Sequence, residues 1–471
     1  MDDHASRAGD APTPGDLRAE AADAGSPGRI AERLDRLPLS GWHRRMVVLI
    51  GLGAFFSFFE VALGSFLGVL LTAQWPLTTF DQSLIIGSAF VGEMIGSLLL
   101  APRADRFGRR TLFQINLIAY SALSLAAAFS PNLAVFLLLR VLTGVGLGAE
   151  LTLVDTYLSE LLPTRRRGRC IACSYTLGML AIPVAGGLAK VANGTLLGVA
   201  GWRWLLVLAA GGGLAVWLFR RGLPESPRWL AASGNAAGAD RVLIAIEREV
   251  GVRAGELAPI PQPSEHTSTG TVSTGAPLNA ARYRRRTVLM WAMWVINPIG
   301  FYTFASIAPI VLLAKGFDLA HSLTYSAMTA LGYPLGSLVS VYLVERVERR
   351  TLLIAATIAA AAFGVGFGQG VNIAVVIGAG VATTVSTVVQ SNVVHIYQTE
   401  LFHTANRSTA IGIPYAASRL VSALLPVSAL ALLGAAGPGG LYLCSALLLA
   451  AMALMVRILG PRTSNQRLDA I

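Results

Sequence analysis

Apolar runs of about 20 residues recur along the whole chain, and short polar or glycine- and proline-containing stretches separate them. A helix of that length rises about 30 Å, which is the thickness of the hydrocarbon core of a bilayer. The pattern therefore predicts an all-α membrane protein with twelve membrane-spanning helices, which we call spans 1 to 12. Their predicted bounds are Met46–Leu71, Ser83–Ala101, Thr111–Phe129, Leu133–Tyr157, Gly168–Ala192, Trp202–Phe219, Thr287–Leu313, Leu323–Val344, Thr351–Phe367, Val371–Tyr397, Ser408–Leu433 and Leu441–Ile458.

Longer polar segments divide the spans into two sets of six. The stretch 259–277 is rich in proline, serine, threonine and glycine and cannot bury a core, so it is predicted to be a flexible linker. The predicted regions are a polar cytosolic N-terminal segment at 1–45, a six-helix bundle at 46–221, a cytosolic central loop at 222–286, a second six-helix bundle at 287–459 and a short cytosolic tail at 460–471.

Arginines cluster in every second connection between spans, whereas the intervening connections carry few charges. Arg44 and Arg45 precede span 1, and similar clusters lie between spans 2 and 3, 4 and 5, and 8 and 9. Basic residues are retained on the cytosolic side of membranes. We therefore expect a multi-pass protein of the cell inner (cytoplasmic) membrane with both termini in the cytosol.

Composition excludes a water-soluble enzyme, because only 13% of the residues are charged and 54% are hydrophobic, whereas soluble domains contain about 25% charged residues. The net charge of +11 comes from short clusters between apolar runs, which indicates contact with a lipid bilayer and not with nucleic acid. Three cysteines are too few for a disulfide framework, and we interpret Cys170 and Cys173 as small helix residues. We expect no metal and no cofactor.

Two separate segments repeat at one offset. Ala104–Leu112 (ADRFGRRTL) reappears 240 residues later as Val344–Leu352 (VERVERRTL), and Thr156–Arg167 reappears at the same offset as Ile396–Arg407. A constant offset indicates duplication of a six-span unit. Parallel repeats of this kind are typical of transporters that hold their substrate at the midplane, between the two halves.

Three motifs give the chain a resemblance to the major facilitator superfamily. They are the loop Asp105–Arg110, although Ala101 stands where glycine is usual, the span 4 segment Arg140–Glu150, and the PESPRWL string at Pro224–Leu230. The resemblance implies two pseudo-symmetric six-helix halves that work by alternating access. It also implies that spans 1, 4, 7 and 10 line the cavity.

Span 7 lacks the glutamine pair of the sugar porters, and its segment Gly300–Leu312 (GFYTFASIAPIVL) is more similar to organic-acid:proton symporters and synaptic-vesicle-protein-like carriers, including niacin transporters. The resemblance implies a secondary active transporter of a small organic acid, either an aromatic carboxylate or a nicotinate-like acid. We expect proton coupling, a monomer and no enzymatic activity. A sugar:proton symporter and an exporter of a small metabolite remain the alternatives.

A charge near the bilayer centre costs about 2.5–3.5 kcal/mol on insertion scales, so charged residues inside spans are candidates for function. The candidates for proton coupling are Glu150, Glu60, Asp155 and His395. The candidates for the substrate cavity are Ser57, Asn297, Tyr302, Gln390, Asn392, Arg140 and Arg419, where either arginine could bind a carboxylate bidentately. Glu93 of span 2 could exchange a proton or serve only a structural role, and we favour the structural role.

The acidic and basic residues at the predicted cytosolic helix ends match the family's ion-pair latch, which closes that side of the transporter. The alternative is that the arginines only fix the orientation in the membrane. The latch candidates are Asp105, Arg106, Arg109, Arg110, Glu160, Arg167, Glu225, Arg228, Glu345, Arg346, Glu400 and Arg407.

Overall fold

The computed structural model describes residues 27–192, 194–251, 281–317, 325, 328–402 and 407–463. Within these residues ten helices are long and apolar enough to cross a membrane, and Met328–Leu343 is a shorter apolar helix. The helices of spans 1 to 6, the N-half, are Gly41–Leu70, Thr79–Phe107, Arg109–Ala128, Leu133–Leu147 with Glu150–Leu161, Arg167–Met179 with Ala181–Val191, and Gly201–Arg220. Those of spans 7 to 12, the C-half, are Ala281–Ala314, Gly332–Leu343, Arg349–Gln369, Ile373–Thr399 and Arg407–Leu459, the last of which holds spans 11 and 12. The predicted linker at 259–277 lies outside the described residues.

Four spans differ in detail from the separate, unbroken helices that the sequence predicts. Span 4 breaks after Leu147, and span 5 breaks at Leu180, because Pro183 has no N–H to donate to the carbonyl one turn earlier. Spans 11 and 12 are joined without the predicted loop. The reversal occurs at Gly437, whose φ of 66° is open to glycine at little steric cost.

Glycines bring spans 2 and 4 into backbone contact. A Cβ on Gly144 would lie 2.9 Å from the Cα of Gly92, and one on Gly148 would lie 2.8 Å from the Cα of Gly96. Small residues allow membrane helices to approach this closely.

The two halves repeat the same local structure, which confirms the duplication. The Arg109 guanidinium donates to the main-chain oxygen of Ala104 at 2.9 Å, and the equivalent Arg349 donates to Val344 at 2.6 Å. Each arginine thereby closes the turn that leads into the third span of its half. Large apolar side chains are exposed on the outer faces of spans 3, 6, 9 and 12, as in a bundle surrounded by lipid. Examples are Ile115, Ile118, Leu214, Leu218, Ile358, Phe363, Leu447 and Leu454.

The arginine-rich end of the bundle, where the connections between spans 2 and 3, 4 and 5, and 8 and 9 lie, carries three more helices. These are Pro27–Asp35, Pro227–Ala232 and Ala236–Glu249, and they fall in the predicted polar N-terminal segment and the predicted central loop. Arg33 joins the first to the third through Glu247 at 2.8 Å and Asp240 at 2.6 Å.

Candidate functional site

Span 1 presents its small and polar face to an arginine of span 4. Glu60 and Arg140 are both buried and form an ion pair. Arg140 also donates to the main-chain oxygen of Glu60, at 3.4 Å. Gly64, one turn further along span 1, makes room for it, because a Cβ there would lie 3.0 Å from Arg140 Nη2. Two predicted site residues are therefore each other's partners within the N-half, while Ser57 on the same face bonds the carbonyl of Gly53 at 3.2 Å.

Glu150, the first residue after the break in span 4, is bound by Arg220 from the end of span 6. The carboxylate oxygen lies 2.7 Å from Arg220 Nη1. Arg220 also donates to the main-chain oxygens of Leu49 and Ile50 in span 1, at 3.0 and 2.9 Å. This pair ties spans 1, 4 and 6 together, and Gly53 leaves the space that the guanidinium occupies.

Arg419 of span 11 reaches across to the other half of the protein. Its Nη1 lies 3.2 Å from the carboxylate of Glu93 in span 2 and 3.0 Å from the hydroxyl of Tyr302 in span 7. The Tyr415 ring lies 4.5 Å from the guanidinium carbon and the Phe90 ring 5.8 Å from it. Two predicted cavity residues are thus adjacent, in a buried setting that combines a cation, a carboxylate and aromatic rings.

Asp155 and His395 also bridge the halves. His395 Nδ1 lies 2.6 Å from Asp155 Oδ2, and the hydroxyl of Tyr175 donates to Asp155 Oδ1 at 2.9 Å. The Gln398 amide donates to Asp155 Oδ2 at 2.7 Å, and its orientation follows from Trp294, whose indole N–H donates to Gln398 Oε1 at 2.8 Å.

The other predicted cavity residues lie inside the C-half. Asn392 donates to Ser337 at 2.9 Å and to Ser340 at 2.7 Å, so it joins span 10 to span 8. Gln390 packs its amide 3.7 Å from the sulfur of Met452 in span 12, and Asn297 is buried in span 7. The structure does not bring these three side chains to the ion pairs described above.

At the arginine-rich end, the latch candidates of the N-half form one connected group. Arg109 Nη2 lies 2.9 Å from Asp105 and 3.1 Å from Glu160. The Glu225 carboxylate accepts the backbone N–H groups of Arg109 and Arg110, and burial raises the pKa of that carboxyl although these N–H groups act in the opposite direction.

Other latch candidates join the N-half to the C-half. Arg167 lies 3.1 Å from Glu400, with both side chains buried, and the exposed Arg166 lies 3.2 Å from Glu345. Three predicted candidates have different partners: Arg228 lies 3.5 Å from Asp35, and Arg106 and Arg346 stack on the rings of Phe107 and Tyr342. The side chain of Arg407 is outside the described part of the chain.

The residues of these networks that are absent from the predicted site include Glu93, Arg220, Tyr175 and Gln398. The sequence favours a structural role for Glu93, and Arg220 directly follows the predicted end of span 6 at Phe219. The sequence did contain one signal for the contact between Asp155 and His395: the two residues stand 240 residues apart, which is the offset of the repeat.

A cavity of about 520 Å³ lies at the arginine-rich end and is lined in part by Trp42, Leu223 and Ile246. None of the predicted cavity residues lines it.

Comparison with known proteins identifies the group to which the chain is similar. The model of the family described as "Sugar (and other) transporter" matches residues 43–471. The niacin transporter NiaP of Acinetobacter baylyi is 26% identical over 94% of this chain and 99% of its own length. The 4-hydroxybenzoate transporter PcaK of the same species is 28% identical over 71% of this chain and 72% of its own length.

The fold is also found among solved structures. The proton:xylose symporter XylE of the major facilitator superfamily, bound to 6-bromo-6-deoxy-D-glucose, superposes with a TM-score of 0.71. The superposition covers 91% of this chain and 98% of the symporter chain, and the two sequences are 18% identical. That degree of identity supports a shared fold and says nothing about the substrate.

Proposed function

We propose a function that starts from one premise: the chain belongs to the sugar (and other) transporter family of the major facilitator superfamily. It is a membrane transporter and not an enzyme. We propose that its substrate is a small organic anion, an aromatic carboxylate such as nicotinate, moved together with a proton by alternating access. We also propose that the arginine-rich end faces the cytosol. The protein is, in this proposal, a monomer in the inner membrane.

The observation that carries this proposal is the setting of Arg419. The guanidinium is buried between the halves, and its Nε has no hydrogen-bond partner among the described residues. Its planar fork suits a carboxylate, and the rings of Tyr302, Tyr415 and Phe90 around it suit an aromatic body. A neutral sugar does not carry the negative charge that pairs with a guanidinium.

Glu93 explains how a proton would accompany the anion. The Glu93 carboxylate is already paired with Arg419. A substrate carboxylate that binds this arginine therefore competes with Glu93. Two carboxylates cannot share one guanidinium in a buried site without net negative charge, which is costly there. A proton on Glu93 removes that charge, and the substrate anion and the proton then enter as a neutral pair.

The roles predicted for Glu150 and Glu60 stay predictions. Each carboxylate is paired with an arginine of the same half, through Arg220 and Arg140. Alternating access moves the halves relative to one another and leaves such pairs intact. Glu93 is better placed for coupling, because its partner belongs to the other half.

The test is uptake into proteoliposomes of nicotinate, 4-hydroxybenzoate and xylose, with and without an acid-outside pH gradient. We expect gradient-driven accumulation of an aromatic carboxylate. Accumulation of xylose with no uptake of either acid would overturn the proposal in favour of a sugar symporter.

Two variants locate the site. Arg419→Lys should raise the KM for the acid by about tenfold or more, because a point charge cannot replace the bidentate fork. Arg203→Lys is the matched control, since Arg203 of span 6 donates to the main-chain oxygens of Ala128 and Ser130 at the end of span 3 and does not belong to the predicted cavity. Glu93→Gln should lose accumulation driven by pH and retain exchange between equal concentrations, and the same result from Glu150→Gln alone would restore the prediction for Glu150.

A further inference from the structure

Asp155 and His395 occupy equivalent positions in the two repeats and contact each other. They stand 240 residues apart, and the segments that contain them align at that same offset. A contact between equivalent positions lies beside the axis that relates the two halves. The duplicated gene thus holds an acid at this position in one copy and a base in the other.

We propose that Asp155 and His395 form a proton-binding site shared by the two halves, whose occupancy favours closure of the arginine-rich end. The site lies five residues before Glu160 and Glu400, or about 8 Å further into the bundle. It is separate from Arg419 and Glu93, so it does not rest on the identity of the substrate.

Proton counting gives the direction of the effect. The 2.6 Å contact requires one proton between Nδ1 and Oδ2, and with that proton alone the pair carries a net negative charge. A second proton gives an imidazolium beside a carboxylate, which is neutral overall. A net charge in a membrane interior is costly, so closure favours the state with two protons. Histidine is the side chain whose charge changes near neutral pH.

The groups that face the pair are neutral. Span 5 contributes Tyr175, span 10 contributes Gln398, and span 7 contributes Trp294, whose ring lies 5.1 Å from that of His395. Span 11 contributes Tyr415 behind Trp294, and Arg419 beyond it is already paired with Glu93. The positive charge of the second proton is therefore balanced by Asp155. When the halves separate, His395 loses its contact with Asp155 and can release that proton.

The test measures closure directly. After the native cysteines are replaced by serine, spin labels at Arg165→Cys and Arg462→Cys, both exposed at the arginine-rich end on opposite halves, report the distance between the halves. In purified protein without substrate, the ratio of short to long distances should rise as pH falls from about 8 to about 5.5, by up to about tenfold per pH unit. In His395→Gln, which keeps a hydrogen-bonding group and cannot titrate, that ratio should not depend on pH.

Thr176→Val is the matched control. Thr176 of span 5 bonds Ser337 of span 8 at 2.8 Å, so the variant loses a contact between the halves and keeps every titratable group. It should lower the short-distance fraction at each pH and preserve the slope. A parent protein without pH dependence, or a His395→Gln variant with the parental slope, overturns the proposal. If His395→Gln is not monodisperse, Asp155→Asn decides by the same criterion, because it removes the anion that balances the second proton.

Discussion

The interior of the N-half and the interface between the halves hold the same kind of buried ion pair for different purposes. Inside the N-half, Arg140 binds Glu60 and Arg220 binds Glu150. At the interface, Arg419 binds Glu93, Arg167 binds Glu400 and His395 binds Asp155. The first set joins helices that move as one body. The second set joins bodies that must separate in every transport cycle.

This difference decides what each pair has to do energetically. A buried pair repays its desolvation only while both partners remain, and removal of one partner leaves an uncompensated charge. Within one half that condition is always met. Between the halves it fails whenever the interface opens, so another group must neutralise the freed charges. In our proposals a substrate anion does so for Arg419 and a released proton does so for His395.

The largest effect should follow from a break inside the N-half. Arg220→Leu leaves the Glu150 carboxylate buried without its cation and leaves the carbonyls of Leu49 and Ile50 without their donor. We expect a loss of about 3–5 kcal/mol of stability, the usual cost of removing one partner of a buried pair. Thermal unfolding of the detergent-purified protein measures it.

Arg221, the residue next to Arg220, provides the control for Arg220→Leu. Arg221 is exposed and stacks on the ring of Trp217 at 4.4 Å. Arg221→Leu removes an arginine from the same helix end at a cost of about 1 kcal/mol or less. Equal losses for the two variants would contradict the view that the Arg220 pair holds the N-half together.

A smaller loss should follow when the space for that pair is filled. A Cβ on Gly53 would overlap the Arg220 guanidinium and the Glu150 carboxylate, and the guanidinium is fixed by its bonds to the main-chain oxygens of Leu49 and Ile50. Gly53→Ala should therefore cost about 1–3 kcal/mol by overpacking. Gly211→Ala on span 6, where a new Cβ meets no atom within 4 Å, should leave the melting temperature unchanged or slightly higher.

The sequence was sufficient for the fold because length, hydropathy and the repeat offset do not depend on tertiary contacts. It also identified most of the charged residues in the networks. It could not supply their partners, because pairing depends on the rotation and tilt of each helix, and Glu93 meets Arg419 from 326 residues away. The break in span 4 was likewise not predicted, and Gly148 at this break packs against the backbone of span 2, a contact between helices that the sequence does not show. The helix Pro27–Asp35 had a usable signal: Ile30 and Leu34, one turn apart, are both buried.

The last prediction compares the two sets of pairs at equivalent positions. Glu160 and Glu400 align in the repeat, and each binds the arginine that begins the third span of its half, Arg109 or Arg349. Only for Glu400 do the described contacts include an arginine of the opposite half, Arg167. Glu400→Gln should therefore shift the conformational equilibrium at the arginine-rich end toward the open state by about tenfold, equivalent to about 1.4 kcal/mol.

Glu160→Gln should lower the melting temperature and leave that equilibrium unchanged, because its described ion pair lies within one half. The spin-label distance at Arg165→Cys and Arg462→Cys measures the first effect, and thermal unfolding measures the second. If both variants opened the arginine-rich end equally, the distinction between pairs within a half and pairs between halves would not hold at this end of the protein. A melting temperature that fell only for Glu400→Gln would count against it as well, since the pair within the N-half would then contribute no stability.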